Sequence, residues 1–91
     1  MSFRIERLVA GDGSLIFQVS GRIEGENLAI LQGLLAQTTG ETVLDLKETT
    51  FVDRDAVTLL ARCEPGGVKL KNLPAYLREW ISKEQAQIRG G

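Results

Sequence analysis

Val43-Leu-Asp-Leu-Lys-Glu-Thr-Thr-Phe-Val-Asp-Arg-Asp-Ala-Val57 runs from one apolar segment through a cluster of charges into another. Its opening, Thr42 to Leu46, is short and nearly continuously apolar, the pattern of a strand buried inside a sheet among parallel neighbours. Beyond it the period changes. Ala56, Val57, Leu60 and Ala61 recur at helical spacing and Pro65-Gly-Gly67 stops the segment, which predicts a helix near residues 54 to 63. The carboxylates between the two segments therefore fall at the carboxyl end of a strand and the amino end of a helix. Unpaired backbone N–H groups and a partial positive charge collect there and favour acidic side chains. Asp53 is placed to cap the helix by accepting from a backbone N–H two or three residues on, and Asp55 to complement its first turn.

Working outward, Phe3 and Ile5 alternate with Arg4 and Glu6, and Leu15, Phe17 and Val19 alternate with Ile16, Gln18 and Ser20. Glycines 11 and 13 supply the positive φ of a reversal between them, which predicts an antiparallel hairpin over residues 3 to 20. Leu28, Leu31, Leu34 and Leu35 then recur at three- and four-residue spacing, predicting a helix over about residues 27 to 38 with Asn27 as its N-cap and Gly40 as its stop. After the central stretch, Val68 and Leu70 alternate with Lys69 and Lys71 as a strand. Pro74 opens a third helix, near residues 75 to 86, on which Leu77, Trp80, Ile81 and Ile88 share a face. The order describes an α/β domain with Val43 to Leu46 central in its sheet. The expected core is Phe17, Val19, Leu31, Leu35, Leu44, Leu46, Val57, Leu60, Leu70 and Leu77.

Ninety-one residues, 43% hydrophobic and 25% charged, suit one small globular domain. A net charge of -1 argues against a nucleic-acid partner. No apolar run reaches the length of a membrane span or a signal peptide, and the single cysteine, Cys63, has no intrachain partner, so a cytoplasmic protein without membrane insertion is expected. Histidine is absent, as are a Gly-x-x-x-x-Gly-Lys loop and a serine elbow; no catalysis and no cofactor are expected. The contrary hypothesis is that Asp45, Asp53 and Asp55 gather around a metal or present a phosphoacceptor carboxylate.

Val43-Leu-Asp-Leu46, Phe51-Val-Asp53 at a helix start, and Val68-Lys-Leu-Lys-Asn-Leu-Pro74 together resemble the pattern of STAS domains, the family of bacterial anti-sigma-factor antagonists, over most of the chain. Gly21-Arg-Ile-Glu-Gly25 is similar to the family's glycine-containing turn. The resemblance implies one STAS-like domain over residues 1–91, with a mixed sheet of about four to five strands and about three to four helices. It also implies a protein-binding module in a signalling pathway that regulates transcription. Phosphorylatable members carry Asp-Ser-Ser-Gly or Asp-Thr-Ser-Gly at the strand-to-helix junction, and a kinase that is also an anti-sigma factor phosphorylates the second hydroxyl residue.

Laid on this chain, that motif's aspartate falls on Asp53, its first hydroxyl on Arg54, its phosphoacceptor on Asp55 and its glycine on Ala56. The phosphoacceptor hydroxyl is thus replaced by a carboxylate, which sets a permanent negative charge where a phosphoserine would set more. Ala56 in place of glycine raises local helix propensity. The second helix is shorter than the family's. Two readings of Asp55 stand side by side, a fixed imitation of the phosphorylated state and a first-turn acid that complements the helix. The partner implied is a serine kinase-like anti-sigma factor or, alternatively, the ATPase of a lipid transporter, to which some STAS subunits bind; a homo-oligomer is left open. Elsewhere the simpler roles are structural: Asp45 a hydrogen-bonded acid near the sheet's end, Trp80 packed on the sheet, Lys69 and Lys71 a solvated strand face, and Cys63 a small apolar residue at a helix end.

Overall fold

Gly13, with φ 91, turns the chain where a residue bearing a Cβ would be strained. Around it Ala10 N–H donates to Ser14 O at 2.9 Å and Gly13 N–H to Ala10 O at 2.9 Å, while Asp12 Oδ1 accepts from the Ser14 N–H at 3.0 Å. This reversal joins β1, Phe3–Val9, to β2, Leu15–Ile23, in an unbroken antiparallel ladder from Phe3 opposite Gly21 to Val9 opposite Leu15. The expected hairpin forms, and β2 continues past it to Ile23. The computed structural model describes residues 3–90, with side chains to residue 87.

Helix α1 spans Gly25–Gln37 and begins earlier than Asn27. Glu24 stands at the N-cap position without a side-chain cap bond, and Asn27 Nδ2 donates backward to Arg22 O at 2.9 Å. Asn27 therefore ties the helix to the end of β2 in place of capping it. Gly40, at φ 88, lies beyond the C-cap residue Thr38 and turns the chain toward β3, Thr42–Asp45. This strand lies parallel to β2 on one side and to β5, Val68–Lys71, on the other, the interior position its apolar run predicts.

Thr49–Val52, for which the sequence patterns above predict no element, is a further strand, β4. It pairs parallel with the end of β2 through Thr49 beside Gly21 and Val52 beside Ile23, with a register shift between Gly21 and Arg22. The Thr49 hydroxyl fixes it by donating to Val19 O at 2.9 Å. The sheet thus has five strands in the order β1-β2-β3-β5 with β4 on β2, followed through the chain by α2, Arg54–Cys63, and α3, Ala75–Gly90.

Alternation along the strands sends Phe17, Val19, Ile23, Leu44 and Val52 to one face, where Leu31 of α1, Val57 and Leu60 of α2, and Leu77 and Ile81 of α3 complete a single core. Leu35 and Leu70, expected inside, are half-buried at its margin. Trp80 is corrected outright: it is 36% exposed. On α3 the buried pair Leu77 and Ile81 sets the inward stripe, and Trp80 stands about 100° round the helix from Ile81. The side chain of Ile88 lies outside the described residues. Among the described residues no helix is long and apolar enough to cross a membrane.

Candidate functional site

Val52 beside Ile23 brings β4 to its end, and Asp53 N–H donates to Ile23 O at 3.2 Å, so the strand-to-helix turn is held by the sheet itself. Asp53 is extended, with φ -85 and ψ 177, and its Oδ1 accepts from the Ala56 N–H at 2.8 Å. The expected cap is present. Its backbone carbonyl then receives Val57 N–H at 3.0 Å as the first helical bond. Arg54 and Asp55 stand exposed on the first turn, and the methyl of Ala56 is fully buried in the core. The nearest hydroxyl along the helix, Thr58, is engaged with Arg54 O and Glu84 Oε1, both at 3.2 Å.

At the same end of the sheet, the Arg22 guanidinium lies 4.4 Å from the centroid of the Phe51 ring and forms an ion pair with Glu24. The register explains the contact, because Arg22 of β2 pairs directly with Phe51 of β4. The hydrogen bond to Glu24 holds the Arg22 guanidinium further above its already high ordinary value. Phe51 remains 37% exposed, so the strand before the cap presents an aromatic edge beside fixed charges of both signs. Sequence reading missed this pair with the strand that makes it; the β-branched run Thr49-Thr-Phe-Val52 was its signal.

Asp45 is not part of this site. It belongs to the face of the sheet opposite the core, where its Oδ1 accepts from Lys47 N–H at 3.0 Å and from Asn72 Nδ2 at 2.9 Å. Burial pushes its carboxyl up, yet the two hydrogen bonds and the Lys71 and Lys47 charges together hold it below the usual carboxylate range. Asn72 makes its bond from φ 59, a left-handed conformation that asparagine tolerates. Among the described residues no group of three or more histidine, cysteine, aspartate or glutamate side chains is placed to hold a metal ion. Asp53 is occupied as a cap and Asp45 as a strand-end acceptor, while Asp55 stands exposed on the first turn of α2. A second polar cluster joins α2 to α3: Arg78 donates through both terminal nitrogens to Glu64 at 2.9 and 2.8 Å, and Gln85 Nε2 donates to Glu64 Oε1 at 2.8 Å. The hydrogen bond from Arg78 is the main cause that holds the Glu64 carboxyl below its usual range.

No protein-family model and no curated protein matches the sequence. Among solved structures, the chain is similar to the crystal structure of an antisigma-factor antagonist, a STAS domain from Rhodobacter sphaeroides, at 17% identity over 77% of this chain and 86% of that one, with a TM-score of 0.54. At that identity the likeness speaks for the backbone alone. The hairpin, the parallel strands that follow it and the helices between them make this the fold of a STAS domain.

Proposed function

We propose that the chain is a non-catalytic, protein-binding regulatory module of the anti-sigma-factor antagonist kind, with Asp55 standing permanently where the family's phosphoacceptor would be. The observation that carries this reading is the junction of β4 and α2. Asp53 caps the helix, Asp55 is exposed in its first turn, and Ala56, in the place the motif gives to glycine, is buried. A cap already satisfied by a backbone N–H leaves the first-turn charge of Asp55 free to meet a partner. Its single charge is smaller than the -1.5 to -2 that a phosphate carries at neutral pH, so the barrier it sets against a kinase surface is weaker than that of a phosphoserine.

Affinity capture from the native cell with the natural chain and Asp55→Ser, read by mass spectrometry, tests the proposal. An anti-sigma kinase is expected, held about fivefold or more tightly by Asp55→Ser, with phosphate appearing at residue 55 when ATP is supplied. A transporter ATPase held equally by both forms assigns the accessory-subunit reading instead. Equal retention of every captured protein, with residue 55 unmodified, reduces Asp55 to a helix-start acid.

A further inference from the structure

The hairpin leaves one edge of the sheet unused. Among the described residues β1 pairs only with β2, so its other side ends the sheet. Because Ala10 N–H bonds Ser14 O, the alternation of an antiparallel ladder turns the backbone groups of Arg4, Glu6 and Leu8 toward β2. It turns those of Phe3, Ile5, Arg7 and Val9 outward. The strand contains no proline, and its ladder with β2 carries no register shift. It therefore lacks two of the devices that keep edge strands from pairing. Its charges are the remaining device, and their order matters.

We propose that β1 is the contact of a symmetric homodimer, in which two copies join their sheets antiparallel about an axis through Ile5. In this register Ile5 meets Ile5 of the second copy and Phe3 meets its Arg7, all residues whose N–H and C=O groups point outward, so the ladder hydrogen bonds are complementary. Arg4 then faces Glu6 of the second copy, twice by symmetry, at the ladder positions where opposed side chains come closest. Both side chains are largely exposed, at 71% and 51%, and their pairing with each other within the chain, at 3.6 Å, is a solvent-screened contact that exchange across the axis replaces. Neighbouring registers are worse. Centring on Glu6 sets two carboxylates against each other, centring on Arg7 or Arg4 sets two guanidinium groups together, and like charges directly opposed are destabilising. The charges that would discourage edge pairing in general thus admit one register. Phe3 opposite Arg7 adds a ring beside a cation. A ladder this short, with modest side-chain burial, belongs to the weak class of interfaces, so dissociation is expected at roughly micromolar concentration or above.

Sedimentation equilibrium from micromolar to millimolar protein tests the assignment, with folding of each variant checked by thermal unfolding. The natural chain is expected to dimerise reversibly. Arg4→Glu alone and Glu6→Arg alone each set like charges opposite one another at positions 4 and 6 and should weaken self-association by roughly tenfold or more. Mixing these two variants should restore a dimer, because each glutamate then faces an arginine. Arg7→Pro, which removes an outward N–H at an edge, should abolish dimerisation while the monomer remains folded. A natural chain that stays monomeric to millimolar concentration overturns the proposal. So does a dimer indifferent to these substitutions, or one that the mixed variants fail to restore.

Discussion

Asn72 closes β5 in a left-handed conformation and donates its amide to Asp45, so one residue joins the ends of two neighbouring strands at the cost of a backbone that alanine would resist. Two substitutions separate the contributions. Asn72→Ala and Asn72→Gly both lose the amide, but only alanine is strained at φ 59, so the glycine variant should be the more stable by about 1 kcal/mol in urea unfolding. Equal stability would mean that the backbone relaxes out of the left-handed region. Asp45 itself gives the pair a pH dependence. Its folded carboxyl titrates below the unfolded value of about 3.9, so the stability it contributes is complete above that pH and is lost as pH falls through the lower, folded value. Asp45→Asn should be less stable than the natural chain at neutral pH and should lose less on acidification below about pH 4, measured by urea unfolding across that range.

Helix α2 shows which kinds of interaction set the stability of an element. Leu60 is fully buried, and Leu60→Ala should destabilise by about 2 to 5 kcal/mol. The Arg78–Glu64 pair has good bidentate geometry, yet its side chains are 40% and 31% exposed, so solvent screening discounts it and Arg78→Ala should cost under about 1 kcal/mol. Thermal unfolding of the two variants should rank them in that order. The same helix was the most legible element in the sequence, because Asp53, a regular apolar stripe and Pro65-Gly-Gly67 mark its start, its inner face and its end independently. Legibility failed where one signal stood alone. Val52 is the one buried residue of β4, too little for alternation to register, and only the β-branched composition of the stretch hinted at a strand. Asn27 is a common capping residue, but its amide was claimed by the strand behind it, a contact no local pattern reveals. At the candidate site, Asp53 and Asp55 could be placed from spacing, whereas Arg22 over Phe51 depends on a pairing between strands far apart in the chain.

At the scale of the whole molecule, β2 is the strand on which the sheet converges. It pairs with β1 over Leu15 to Gly21, with β3 over Leu15 to Gln18 and with β4 over Gly21 to Ile23. That arrangement has a kinetic consequence. The β1–β2 hairpin closes a short loop and forms early at little entropic cost, whereas β3 and β4 must return from more distant sequence to a template that has to exist already. Stabilisation of β2 should therefore be largely in place at the folding barrier, while α3, the last element in the chain, docks after it. Val19→Ala is expected chiefly to slow refolding, and Ile81→Ala chiefly to quicken unfolding, in stopped-flow measurements across denaturant. If both substitutions act on the unfolding arm alone, the sheet is assembled after the barrier and the hairpin does not template it. If the order holds, the register shift at Gly21 falls within the template, and the route by which the cap of α2 reaches its place is decided before the helix itself is formed.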